Sequence, residues 1–401
     1  VPSKVVSAIK REVEYTDRAE LISGFLSAQP AAYLRGLAPR TIEYNSLMKQ
    51  KMLLQEQIAR GGWGPTVSAS SLKPGASGPA VLQLRNRLMT MGYLSRSNAK
   101  TYDAAMKDAV GAFQKAHGLE ADDVAGSSTI KEINKGIETR LKSLLVAMER
   151  ERWLNKKRGD RHILVNIPDF TAKIVDDGRV TFETRSVVGA NKGDRPTPEF
   201  SHVMDHMVIN PSWYVPRSII VNEYLPALRN NPNAVRHIQI TDRRGRVVNR
   251  SSANFAKYTA RNFPYSMRQP PSSRNALGLV KFMFPNKYNI YLHDTPAKNL
   301  FSREVRAYSH GCIRLNDPFD FGYALLAKQE ADPKGFFQSQ LRTGRESRVN
   351  LVDPVPVHII YRTAYTDARG NLNFRRDIYG RDARIWDALQ KAGVELGQVQ
   401  G

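Results

Sequence analysis

Apolar residues along the first part of the chain recur at three- and four-residue spacing, the period of an amphipathic helix. "SAIKREVEYTDRAELISGFL" and "APRTIEYNSLMKQKMLLQEQIARGG" carry this pattern, so residues 1–62 are expected to be helical. Pro39 stands near a helix start, and Gly61–Gly62 closes a helix. The stretch "WGPTVSASSLKPGASGP" has little periodicity and is rich in Pro, Gly and Ser, which marks a boundary. Two further helical runs echo each other, "AVLQLRNRLMTMGYL" and "AMKDAVGAFQKAHGL". Val81, Leu84, Leu88 and Met91 share one face of the first, and Val110, Phe113 and His117 one face of the second. Gly92 and Gly118 suit the left-handed position that ends a helix. "IETRLKSLLVAMERERWL", residues 137–154, reads as one amphipathic helix that couples the helical part to the remainder of the chain.

From His162 the period shortens to that of strands. "HILVNIPDFTAKIVDDGRVTFETRSVVG" turns at Asp177–Gly178, and "SHVMDHMVINPSWYVP", "GLVKFMF", "NIYLHD" and "VPVHIIYRTAYT" add further strands. Short strands with turn signals indicate a sandwich or barrel. Residues 217–275 interrupt them. "SIIVNEYLPALRNNP" and "NFAKYTARNFPYSM" look helical, while "RHIQITDRRGRVVN" looks like a hairpin, so this insertion is a candidate lid. The expected class is α+β multidomain. A helical scaffold over 1–71, completed by 137–154, and a three-helix module over 72–134 precede a β-sandwich domain over 155–401. That domain carries a mixed α/β lid at about 217–275.

Composition narrows the partners. The chain has 401 residues, of which 41% are apolar, and a formal net charge of +22. That surplus points to an anionic partner. There is no zinc-finger spacing and the arginines are scattered, which argues against nucleic acid. No apolar run approaches the ~20 residues that span a bilayer. The chain opens on Val1, so a processed form with a secretory signal removed is expected.

The single cysteine, Cys312, sits in "YSHGCIRL". A lone thiol is commonly a small buried hydrophobe. Here Ser309, His310 and Arg314 crowd polar groups around it, and Gly311 clears space beside it, which argues for a reactive turn. His293 ends the strand "NIYLHD" and can take the thiol proton or pair with the thiolate. Gly311 and Cys312 offer consecutive backbone N–H groups to a developing oxyanion.

"YLHDTPAKNLFSREVRAYSHGCIRLND" resembles the L,D-transpeptidase (YkuD-type) catalytic domain, whose signature is a histidine, a spacer, then Ser/Thr-His-Gly-Cys. His293 and Ser309 are separated by fifteen residues in this chain. "VVGANKGDRPTPEF", "INPSWYVP", "NALGLVKFMFPNKYNIYLHDTP" and "YRTAYTDARGNLNFRRDIYGRD" agree with the large branch of that family. Residues 72–134 resemble the peptidoglycan-binding type 1 module, which binds glycan or braces its neighbour. The resemblance implies Cys312 as nucleophile and His293 as base, oriented by a backbone carbonyl at or near Asp294 rather than by that residue's carboxylate. It also implies that Ser309, His310 and Gly311 shape the pocket and that Arg314 holds the loop or a substrate carboxylate. Trp213, Tyr214 and Tyr291 are expected at the cleft, the first two with an equal reading as core.

No cofactor and no metal are expected. His202 and His206 are four apart but lie in a strand-like run, and His310 and Cys312 could join His293 around zinc, a reading that the family signature disfavours. His117, His162, His237 and His358 read as structural or surface residues. The implied reaction is attack of Cys312 on the L-centre third residue of a tetrapeptide stem, loss of D-alanine, and resolution of the thioester by an acceptor amine to give a 3–3 cross-link. Carbapenems are implied to acylate the same thiol. The acceptor is a stem peptide, an envelope protein or water, and the compartment the periplasm or cell envelope. A papain-like hydrolase is disfavoured because histidine precedes cysteine. A non-catalytic wall-binding anchor is the alternative of a different class.

Overall fold

The computed structural model describes residues 1–13, 15–154 and 157–396. The N-terminal part is less helical than the pattern predicts. Helices cover Pro2–Val5, Arg18–Ser27, Pro30–Gly36 and Ile42–Ala59, but the described residues from Val6 to Glu12 are not helical. Tertiary packing overrides the local period there. Val6 and Ile9 are buried with Val146, Ile385 and Trp386. The backbone on either side of Ile9 is tied to Glu199: the Glu199 N–H donates to Ala8 O at 2.9 Å, and the Lys10 N–H to Glu199 O at 2.8 Å.

Helix Ile42–Ala59 packs on helix Ile137–Trp153 through Tyr44, Leu47, Leu54, Leu141, Leu144 and Met148, the predicted completion of the scaffold. Between them, helices Pro79–Thr90, Ala104–Ala116 and Ser127–Ile133 form the three-helix module. Val81, Leu84, Leu88, Val110 and Phe113 are its fully buried centre. The module is held against the C-terminal part of the chain. Arg375 donates to the Ala116 carbonyl at 3.1 Å, His117 stacks between Phe113 and Phe374, and Arg376 pairs with Glu304, which also accepts from Ser128.

Twelve strands build the rest up to residue 360: β1 Arg161–Asn166, β2 Thr171–Asp176, β3 Arg179–Gly189, β4 Phe200–Ile209, β5 Trp213–Tyr214, β6 Gln239–Thr241, β7 Ser266–Gln269, β8 Val280–Met283, β9 Leu292–His293, β10 Ala307–Ser309, β11 Ile313–Leu315 and β12 Ser347–Ile360. Nine of them form one mixed sheet in the order β10-β3-β11-β9-β8-β4-β12-β1-β2, and β2 also pairs with β3. The predicted sandwich layers are therefore continuous. The first half of β3 pairs with β2, and its last residues pair with β10 and β11. A strand of that length can serve both layers and close the sheet on itself. Ile163, Met204, Phe282, Ile313 and Leu315 fill the interior with Phe321 and Phe337 from helices Pro318–Leu326 and Pro333–Arg342.

The insertion is a separate small unit. Strands β5, β7 and β6 make its three-stranded sheet, and a helical run covers Arg217–Asn230. Its core takes in Trp213, Val215 and Leu277 beside Ile220, Leu228, Phe255 and Met267. It is thus wider on both sides than the predicted 217–275, because β5 must pair with β7.

Candidate active site

The polypeptide reverses between β10 and β11, and Cys312 stands at that turn. Gly311 has φ of +110°, a conformation that L side chains rarely adopt, and a Cβ there would sit 3.2 Å from the Ile290 side chain. The turn is braced from inside. Ser309 Oγ donates to the Cys312 carbonyl at 2.5 Å and accepts from the Gly311 N–H at 3.1 Å. Thr197 Oγ1 donates to the Gly311 carbonyl at 2.7 Å. The expected pair of free N–H groups is therefore halved. The Gly311 N–H is taken up by Ser309, while the Cys312 N–H has no acceptor among the described residues.

Strand register explains what surrounds the thiol. Side chains two apart on a strand share a face, and directly paired residues are cross-strand neighbours. β9 and β11 are parallel, with Ile313 opposite Leu292 and Arg314 opposite His293. Tyr291 and His293 thus share a face with Cys312 and Arg314. Tyr291 packs between the sheet's core and that of the insertion, which holds Trp213, and burial lifts its pKa well above the ordinary phenol value. The thiol donates to the Asn289 carbonyl at 3.4 Å. Burial pushes its pKa up to about 11, opposed by Tyr291 and Arg314, so in this closed arrangement the sulfur is a thiol at neutral pH.

His293 is 4% exposed. Its Nδ1 is hydrogen-bonded to the Asp294 carbonyl, which leaves Nε2 to accept a proton. The Asp294 carboxylate faces elsewhere, accepting from the Leu279 N–H at 2.9 Å and Lys298 at 2.8 Å. Burial, then Arg314, lowers the imidazole pKa to about 3, so the ring is neutral. No hydrogen bond joins the imidazole to the thiol among the described residues. Arg314 lies beside His293 instead, with its Nε buried and unpartnered.

Trp213 is buried in the core of the insertion, against which Tyr291 also packs. Tyr214, 65% exposed, is not brought to the thiol; it lies under the Arg268 guanidinium at 5.5 Å. His310 reaches into the insertion, where its Nε2 meets Glu223 Oε1 at 2.6 Å, and Arg195 donates to the same oxygen at 2.6 Å. Glu223, Arg195, Thr197 and Asn289 escaped the sequence reading. Each is a common polar residue far along the chain from Cys312, and only folding gives it a partner. His206 contacts Asp205 on β4, and His202 is exposed on the same strand.

Comparison with known proteins bears on this site. Residues 160–337 match the family model described as "L,D-transpeptidase catalytic domain", and residues 77–133 the one described as "Putative peptidoglycan binding domain". A curated Haemophilus influenzae protein described as "Putative L,D-transpeptidase" is 34% identical over 241 residues, 57% of this chain and 47% of that protein. The chain thus spans about half the length of that relative. Among solved structures, an L,D-transpeptidase from Xylanimonas cellulosilytica is 16% identical with a TM-score of 0.23, covering 74% of this chain and 100% of its own. One from Stackebrandtia nassauensis is 14% identical with a TM-score of 0.27, covering 74% and 97%. At those scores the structural likeness carries no functional weight.

Proposed function

We propose that this chain, which carries an L,D-transpeptidase catalytic domain beside a peptidoglycan-binding module, cross-links peptidoglycan through Cys312 in the cell envelope. The observation that supports it most is the single thiol on a braced strand-to-strand turn, sharing a sheet face with a neutral buried histidine. Cys312 attacks the carbonyl of the L-centre third residue of a tetrapeptide stem, and D-alanine leaves. A thioester forms, and an acceptor amine from another stem resolves it to a 3–3 cross-link. Splitting acyl transfer into two displacements lowers each barrier. Nε2 of His293 takes the thiol proton, once the two side chains close the gap left between them in the resting arrangement. The Cys312 N–H and the Tyr291 hydroxyl are the donors available to the oxyanion.

The insertion is read as a lid. Glu223 fastens it to His310, two residues before the nucleophile, and its core packs on Tyr291. Closed, it narrows access to the thiol, which stays partly exposed, and limits the water that competes with the amine for the thioester. The module is read as a brace as much as a binder, because its helices are tied to Phe374, Arg375 and Arg376. Incubation with purified sacculi followed by muropeptide analysis tests the reading. Dimers linked 3–3, absent with Cys312→Ala, are expected. Their absence with folded wild-type protein, together with no thioester in intact-protein mass spectra, rejects it.

A further inference from the structure

Three side chains stand in a row across β8, β9 and β11. His293 has Lys281 as its Cα partner on one side and Arg314 on the other, so all three project from one face of the sheet. The row has two cations and no anion. Arg314 makes no salt bridge among the described residues, and its Nε is buried without an acceptor. Among the described residues Lys281 donates only to the Ser212 carbonyl, at 3.5 Å. Among the described residues Glu346 attracts Lys281 without forming a salt bridge and takes the Ser212 N–H, while Asp294 is held by Leu279 and Lys298 and no carboxylate pairs with Arg314. Tyr291 and Cys312, the other ionisable groups on this face, are neutral at pH 7. A desolvated cation without a counter-charge is costly, and Arg314 has no carboxylate partner among the described residues.

We propose that Lys281 and Arg314 form a cradle for a carboxylate of the substrate, and that seating this carboxylate turns His293 into an effective base. The proposal rests on the L,D-transpeptidase reading and deepens it. In the free protein an imidazolium would stand between two positive charges, and both oppose its formation in addition to burial. A carboxylate in the cradle neutralises them where the local dielectric is low. The Cys312 proton then passes to Nε2 and the thiolate attacks, forming the C–S bond as the carbonyl becomes an oxyanion. Collapse breaks the C–N bond, and the imidazolium returns the proton to the departing amine. The terminal carboxylate belongs to the departing residue, so the cradle empties with it. His293 is then again a poor base, and water is poorly activated against the thioester. An acceptor amine that brings its own carboxylate refills the cradle.

Histidine-labelled Cys312→Ala protein, which cannot turn over, allows the His293 titration to be followed by NMR with and without N-acetyl-L-lysyl-D-alanine. The midpoint is expected to rise by about one pH unit with this carboxylate probe and to stay put with its carboxamide. In the protein that retains Cys312, Lys281→Met is expected to cut the preference for carboxylate over carboxamide donors about tenfold, chiefly through KM. Lys281→Arg is expected to restore it. Identical titrations with the two probes overturn the proposal, as does a Lys281→Met protein with a native melt and full preference. If Lys281→Met does not fold, the titration decides alone. Because the titration needs no acyl transfer, it stands or falls separately from thioester formation by the wild-type chain.

Discussion

The closed sheet and the insertion above it solve the same backbone problem in different ways. In the sheet, main-chain groups are satisfied by strand ladders; β12 alone pairs with β1 over Ile163–Asn166 and with β4 over Phe200–Ile209. The insertion has only the short strands β5, β6 and β7, and arginines take over from the ladder. Arg250 donates to the carbonyls of Pro232, Ala234, Val235 and Ile238, Arg217 to those of Ala260 and Phe263, and Arg229 to that of Tyr258. Part of the basic surplus is thus structural and does not wait for an anionic partner. The contrast suits the division of labour. Cys312, Tyr291 and His293 need fixed geometry, which ladders give. The lid proposed above needs few bonds to its base, and the Glu223–His310 contact supplies one.

Breaking the sheet side has the largest expected effect. Cys312→Ala removes all acyl-enzyme, and the single adduct expected from a carbapenem, with an unchanged melt; intact-protein mass spectrometry reads both. An adduct that persists places the chemistry elsewhere. His293→Ala slows acylation by a factor of order 10²–10⁴, the range for a positioned acid–base group, measured by stopped-flow acylation. An unchanged rate removes His293 from the mechanism.

The lid side is probed through the thiol. A pKa raised to about 11 means that reactivity is lost as pH falls below that value, so alkylation by iodoacetamide climbs steadily from pH 7 to pH 10 in the wild type. Glu223→Ala unfastens the lid, lets the thiol pKa fall toward ~8.5, and speeds alkylation at pH 8 by about 10–100-fold. A pH profile identical to wild type shows that Glu223 does not hold the lid shut. The smallest effect is expected from Arg250→Ala, which strands several carbonyls at a cost of about 1–3 kcal/mol. Hydrogen exchange should quicken between residues 232 and 250 while the nine-stranded sheet keeps its protection. Faster exchange throughout the sheet would show that the two regions unfold as one.

Local signals in the chain were enough for the motif and for most elements. The spacing of His293 to Ser309-His310-Gly311-Cys312 is a property of the sequence, and so are the three-helix module and the alternation of β4. Residue types alone suggest a Cys-His-Asp triad, which the family resemblance argues against, and the Asp294 carboxylate is bonded to Leu279 and Lys298 instead of His293. What failed was local reasoning where distant groups compete. Val6 to Glu12 reads as helix, yet its backbone bonds to Glu199. Gly311 offers an N–H by position, yet Ser309 claims it. The lid boundary moved outward because β5 finds its partner in β7, more than fifty residues on. Residue type and short-range period were therefore enough to mark the candidate nucleophile and the change from helices to strands near His162. That Lys281, His293 and Arg314 form one row, and that Glu223 meets His310, became visible only in the folded chain. Strand register and the packing of the insertion set those neighbours, and both arise from burial and pairing between segments that no local pattern relates.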